Sequence, residues 1–266
     1  MAIQSKIFRL SPPQILQKLR RLLRRRWDHV VYRGSVLPLS AQRPCGDEYS
    51  SDEFFLESAI GEAQRLEAKL GCTVNSVVVD LGCGLGRLAI GLVRDVGAVP
   101  FWGFDVVKEQ ISWCQKHIQR HHPSFRFAHL DVANARYNPK GRPLTKDFRL
   151  PLPDGQADIV YLWGLLTNME PEHMPIYVAE TSRILREGGA VFLTAFVEKD
   201  VPGVSLNPEG YTNYECVGPL HVVRYEKNFL FSTFRQHGLN VEEYSHHVGR
   251  HCNQSEIYLR KQHVAS

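Results

Sequence analysis

Between Ser76 and Val197, short apolar runs alternate with longer stretches whose apolar residues recur at helical spacing. The short runs SVVVDLG, PFWGFDV, FRFAHLDV, ADIVYLWGLL and AVFLTAFV predict five strands, being rich in β-branched and aromatic residues. GRLAIGLVRDVG, KEQISWCQKHIQRHH and EHMPIYVAETSRILREGG predict helices, the last closed by its glycines. A loop carrying Asn138-Pro139-Lys140-Gly141 and Pro151-Leu152-Pro153 separates the third and fourth strands. Such alternation predicts an α/β fold, a doubly wound, mostly parallel sheet with helices on both faces. NVEEYSHHV and SEIYLRK, separated by the turn-like GRHCNQ, predict a C-terminal antiparallel hairpin that closes the sheet.

Upstream, SDEFFLESAIGEAQRLEAKLG reads as a helix stopped by Gly71. The stretch from Gly34 to Ser51, rich in Pro, Gly and Ser, reads as a loop. SPPQILQKLRRLLRRRW places Ile15, Leu16, Leu19, Leu22 and Leu23 on one helical face, after a Pro12-Pro13 pair suited to a helix start. The expected organisation is an N-terminal basic helical arm and loop over residues 1–53 and a main domain over 54–266, within which 200–235 is an insertion.

Charge sharpens this division. Residues 1–33 carry nine Lys and Arg against Asp28 alone, or +8, which leaves −4 for the remainder of a chain whose total is +4. The main domain does not present a nucleic-acid surface, and the basic character belongs to the arm. No stretch of about 18 uncharged apolar residues is present, and the N-terminus has no long apolar segment with a small-residue cleavage site. The six cysteines are scattered without a C-x-x-C pair, which indicates neither a zinc site nor a disulfide framework. A cytoplasmic protein is expected, with peripheral contact to an anionic membrane through residues 11–26 as one role for the arm.

The candidate chemistry begins at Asp80, where DLGCGLG joins the first of the five strands to its helix. In open α/β sheets, ligands bind beyond the carboxyl ends of the strands. A phosphate-cradling loop would need Lys-Ser or Lys-Thr after the glycines, and a dinucleotide fingerprint would need glycine where Arg87 stands. The spacing present is G-x-G-x-G over Gly82, Gly84 and Gly86, two positions after an acid. That acid disfavours a pyrophosphate and favours a cationic or zwitterionic ligand. The stretch resembles motif I of the class I, Rossmann-like S-adenosylmethionine-dependent methyltransferases. The resemblance extends over about residues 54 to 200, through Asp105 ending WGFDVV, Asp131 ending FRFAHLDV, and LPLPDGQADIVYLWGLLTN followed by SRILREGGAVFLTAF.

The resemblance implies S-adenosylmethionine as cofactor. It implies that Asp80, Gly82, Cys83, Gly84 and Gly86 line the loop, and that Asp105 and Val106 meet the ribose. Asp131 and Val132 are expected to meet the adenine, and Trp163 to stand at the end of the fourth strand. Asn168-Met169 replaces the histidine-methionine pair found in many relatives, so a base there must be absent or supplied from elsewhere. His221, in GPLHVVRYEKNF with Arg224, Tyr225 and Glu226, is the candidate general base, and Tyr137 and Asn138 are further pocket candidates. The expected activity is methyl transfer to a small-molecule or lipid-linked acceptor, with oxygen favoured. The alternatives are a non-catalytic partner subunit of the same fold and a nucleic-acid methyltransferase using the basic arm.

Overall fold

The computed structural model describes residues 28–43, 46–212, 215–248 and 253–262, so the arm helix expected over residues 11–26 lies outside the described residues. The chain forms two compact units, the first ending at Phe55 and the second running from Leu56.

In the first unit, the span expected to be a loop contains a hairpin. β1 (His29–Tyr32) pairs antiparallel with β2 (Ser35–Pro38). Arg33 and Gly34 form the turn, both at positive φ (48° and 78°), the backbone a two-residue hairpin demands. The signal was partly hidden because Arg, not Asn or Asp, precedes the glycine. Below the hairpin Arg43 acts as a hub. Its guanidinium donates to the Pro38 and Tyr49 carbonyls, pairs with Asp52 and lies 4.6 Å from the Phe55 ring centroid.

The helix α1 (Asp52–Leu70) closes as expected at Gly71, whose φ is +69° and whose N–H donates to the Glu67 carbonyl, an αL ending. The strands β3 (Val78–Leu81), β4 (Phe101–Asp105), β5 (Phe125–His129), β6 (Ala157–Leu162) and β7 (Leu185–Glu198) then build the parallel sheet. β10 (Leu239–Ser245) and β11 (Gln254–Lys261) form the expected antiparallel hairpin, and the sheet order is β10-β11-β7-β6-β3-β4-β5. β4 and β5 extend the sheet to one side of β3, and β6 and β7 to the other. The order therefore reverses between β3 and β6, which opens a crevice beside the loop after β3. Fully buried Phe101, Phe104, Phe125, Phe192 and Phe196 fill the space on the sheet.

Three elements depart from the sequence expectation. The helix after β6 is α4 (Met174–Ile184), and the LREGG segment expected to end it opens β7 instead. Gly188 at φ +69° accommodates a register shift there, between the pairs Ala157–Leu185 and Ile159–Ala190. Lys261 Nζ takes over the helix ending, donating to the carbonyls of Ser182 and Leu185. The helix after β4 is α3 (Lys108–Cys114) followed by a π turn over Gln115–Gln119. Gln115 and Gln119 bond the carbonyl and N–H of Phe127, so they occupy the open edge of β5. Residues 200–235 hold β8 (Val204–Leu206), β9 (Val223–Glu226) and α5 (Lys227–Gln236); β9 extends the carboxyl end of β7 in parallel. The helix between β3 and β4 is α2 (Arg87–Asp95). Among the described residues no helix is long and apolar enough to cross a membrane.

Candidate functional site

The glycine loop leaves the carboxyl end of β3 and is hung from β4: the N–H groups of Gly82 and Cys83 both donate to the Phe104 carbonyl, at 2.8 and 3.0 Å. Gly82, Gly84 and Gly86 all have positive φ. Two of the three also face neighbours. A Cβ on Gly86 would lie 2.6 Å from Ile118 Cδ1 and 3.2 Å from Cys114 Sγ, so that glycine lets α2 start close to α3 and its π turn. A Cβ on Gly82 would meet Leu165 at 3.2 Å. Gly84 differs, since only the Gln110 amide oxygen, at 3.6 Å, comes near. Its backbone is bare on an open side, the feature expected where a ligand approaches a main chain.

Asp80 is 3% exposed, and its carboxylate accepts no hydrogen bond among the described residues. Burial pushes its carboxyl well above the usual carboxylate range, and the charge of Arg87 counteracts this in part. Arg87 itself stacks 4.4 Å from the Trp163 ring and reaches Tyr161, whose hydroxyl donates to Glu62 at 3.0 Å. Arg65 closes the chain, bonding Glu62, Glu256 and Tyr258. This network, which sequence patterns did not reveal, runs under the crevice from α1 to β11. It explains Trp163 as a platform for Arg87 and identifies Arg87, one position past the last glycine, as the counter-charge of Asp80.

Asp105 ends β4 and holds the loop in place. One carboxylate oxygen accepts from Gly84 N–H and the other from Val107 N–H, both at 2.8 Å. Burial raises its pKa, and the backbone N–H groups of Val107, Gly84 and Val106 pull it back. Each carboxylate oxygen accepts about two hydrogen bonds, so the carboxylate has room for a further donor. Asp131, beyond β5, is exposed and pairs with Arg142 at 3.3 Å, while the adjacent Val132 is buried.

The acceptor-side candidates separate. Asn168 ties the ends of several segments together: its amide donates to the carbonyls of Leu220 and His221 at 2.8 and 2.9 Å, and its own carbonyl accepts from Asn134. Glu170 bonds Asn134 and the N–H of Ala135, and Arg136 donates to the Val217 carbonyl. His221 is thereby brought to the end of β6. Its Nδ1 accepts from Val217 N–H at 2.7 Å, which puts the ring proton on Nε2. Burial and the nearby Arg136 lower its pKa, so the ring is neutral at neutral pH. The neighbouring candidates are structural: Tyr225 is fully buried and donates to the Leu166 carbonyl, Glu226 caps α5 at Phe229 N–H, and Arg224 bonds Ser205. Asn138 bonds the Val132 carbonyl, and Tyr137 is exposed beneath Arg136.

Residues 78–189 match the family described as a methyltransferase domain. Among solved structures, the magnesium protoporphyrin IX methyltransferase of Synechocystis PCC 6803, crystallised with bound S-adenosylmethionine, is 13% identical. It aligns over 84% of this chain and 90% of its own, with a TM-score of 0.55. The 1,6-didemethyltoxoflavin-N1-methyltransferase of Burkholderia thailandensis, bound to its named substrate and S-adenosylhomocysteine, is 17% identical over 88% and 99%, with a TM-score of 0.51. The 4+2 cyclase SpnF is 16% identical over 94% and 95%, with a TM-score of 0.54. Identities at this level establish the fold, and the cyclase among them shows that the fold alone does not dictate the reaction. The matched segment begins at the strand that carries the glycine loop and ends inside β7, so this stretch is similar to a methyltransferase domain, and the solved structures share the fold of the chain.

Proposed function

We propose that the protein is an active S-adenosylmethionine-dependent methyltransferase whose acceptor is a small molecule or a lipid-linked group, with a hydroxyl oxygen as the favoured acceptor atom. The observation that carries the cofactor half of this reading is the pairing of Asp80, a carboxylate only 3% exposed that bonds no donor among the described residues, with the bare backbone of Gly84. Together they suit a zwitterionic, cationic ligand and repel a phosphate. Asp80 would hold the cofactor's amino-acid end beside Gly82, Cys83 and Gly84. Asp105, already fixed by two backbone donors, would accept from the ribose hydroxyls, with Val106 alongside. Asp131 and Val132 would flank the adenine, and Trp163 would close the crevice over Arg87.

The bound cofactor supplies a methyl on a sulfonium whose departure leaves a neutral thioether, so no acid is required. What remains for the chain is alignment of the acceptor and, for a hydroxyl, removal of its proton. His221, neutral at neutral pH and fixed by Asn168 and Val217, is the proposed base. Base action there requires the Val217 N–H to release Nδ1, or the ring to exchange its proton between nitrogens.

The test is calorimetry followed by product analysis. S-adenosylmethionine and S-adenosylhomocysteine should bind in the micromolar range, of order 8 kcal/mol. NAD should not bind. Incubation of labelled cofactor with fractionated extracts (lipid, small-molecule, protein and RNA) then identifies the acceptor by mass spectrometry. Binding without label transfer to any fraction would favour a non-catalytic subunit, and label in RNA would favour the nucleic-acid reading.

A further inference from the structure

At the carboxyl end of β7, outside the glycine-loop site, side chains from three separate segments converge. Glu198 ends β7, His246 and His247 follow β10, and Tyr211 comes from the connection between β8 and β9. Glu198 Oε1 lies 2.6 Å from His247 Nε2, and Oε2 lies 3.2 Å from His246 Nε2. The Tyr211 hydroxyl donates to Oε1 at 2.9 Å. Thr194, which bonds Gly164 N–H at the end of β6, marks the level of the crevice. Glu198 stands four residues further along the strand, about 13 Å away at a rise of about 3.3 Å per residue.

The two histidines are adjacent in the turn that follows β10. Here their rings stack, with centroids 3.7 Å apart and 24° between planes. His247 reaches this position with a φ of +49°, an uncommon value for a residue other than glycine. Hydrogen bonding accounts for each contact singly. His246 Nε2 also lies 3.1 Å from the Val197 carbonyl, a contact that an ion bound at that nitrogen would replace.

We propose that Glu198, His246 and His247 bind a divalent transition-metal ion of the zinc class. Imidazole nitrogen and carboxylate oxygen form a donor set of that chemistry. The three donor atoms lie within 4.8 Å of one another. Around a tetrahedral ion with bonds of about 2.0–2.1 Å, donors stand about 3.3 Å apart, so binding needs only small movements. Tyr211 supplies the outer hydrogen bond that orients a ligating carboxylate. The side chains of His246, His247 and Glu198 are 46%, 35% and 21% exposed, so an ion reaches them from solvent. Three protein ligands leave a fourth position.

The test uses the full chain stripped with a chelator and titrated with Co²⁺, then with Zn²⁺ in competition. One equivalent of Co²⁺ should produce the visible absorption of a four-coordinate nitrogen–oxygen site, and Zn²⁺ should displace it. His247→Ala and Glu198→Gln should each weaken uptake by about a hundredfold or more, while circular dichroism shows the fold retained. Should either variant fail to fold, His246→Gln provides the same readout at the most exposed ligand. Absence of stoichiometric uptake by the unaltered chain overturns the proposal. So does uptake by the folded variants with unchanged affinity, which would mean binding at other histidines.

Discussion

Asp80 is the residue most at odds with its surroundings. Its raised pKa comes first from burial, with Arg87 opposing. Between the ordinary carboxylate value and the raised one, the native chain binds a proton that the unfolded chain does not. Stability therefore falls as pH rises through that window, from the ordinary carboxylate value upward. Asp80→Asn keeps the shape and removes the charge. It should raise Tm at neutral pH, by roughly 2–4 °C for each kcal/mol recovered, flatten the pH dependence and weaken cofactor binding measured by calorimetry. A variant that melts higher and binds as tightly as before would show that the carboxylate does not meet the ligand. Asp105→Ala is a different case, because that carboxylate holds Gly84 as well as any ribose. Cofactor affinity should drop roughly tenfold to a hundredfold, the order of two charge-assisted hydrogen bonds, and an unchanged dissociation constant would remove Asp105 from the site. The glycines separate in the same way. Gly84→Val meets only the Gln110 amide oxygen within 4 Å but strains a backbone at φ +54°, so it should lose some stability and abolish cofactor binding. Gly86→Ala drives a Cβ toward Ile118 and should lose stability first.

At the scale of elements, the crossing of α2 over α1 is set by one residue. A Cβ on Gly91 would stand 1.9 Å from the Ala59 carbonyl oxygen, a backbone atom with nowhere to move. Gly91→Ala should therefore fall at the upper end of the roughly 1–3 kcal/mol expected of overpacking, read as a shift in the urea midpoint at constant slope. This contact was invisible in the sequence, where Gly91 looks like an ordinary small residue in an apolar helix. The strands of the sheet were legible because each is a short apolar run bounded by breakers, and so was the glycine loop, because its acid and its spacing act locally. The start of β7 was not, since LREGG has helix-forming residues and its conformation is decided by pairing with β6. β9 and α5 were missed because their apolar residues are few and their support is long-range, through the parallel pairing of β9 with β7 and the Glu226 cap. The buried chain from Arg65 to Arg87, and the cluster of Glu198 with His246 and His247, join residues far apart in sequence. In the second case 48 and 49 positions separate the partners, and no local pattern carries such a signal.

At the scale of the whole molecule the dominant feature is the separation of charge, +8 on residues 1–33 against −4 on the rest. A mildly acidic body is a poor surface for a polyanion, which leaves the arm as the candidate contact for an anionic surface. In the sequence, residues 11–26 carry Ile15, Leu16, Leu19, Leu22 and Leu23 at helical spacing among six cations. Each cation near an anionic bilayer contributes about 1 kcal/mol, an interaction that added salt screens. The apolar face adds the insertion that makes such a helix lie in the interface. If the arm delivers the enzyme to a lipid-linked acceptor, the full chain should co-sediment with phosphatidylserine-containing vesicles at low salt and leave them at high salt. Deleting residues 1–27 should abolish that binding while cofactor affinity and transfer to a water-soluble acceptor persist. The opposite pattern, in which the intact chain ignores the vesicles and the deletion removes transfer, would make the segment a lid on the acceptor site and end the lipid reading.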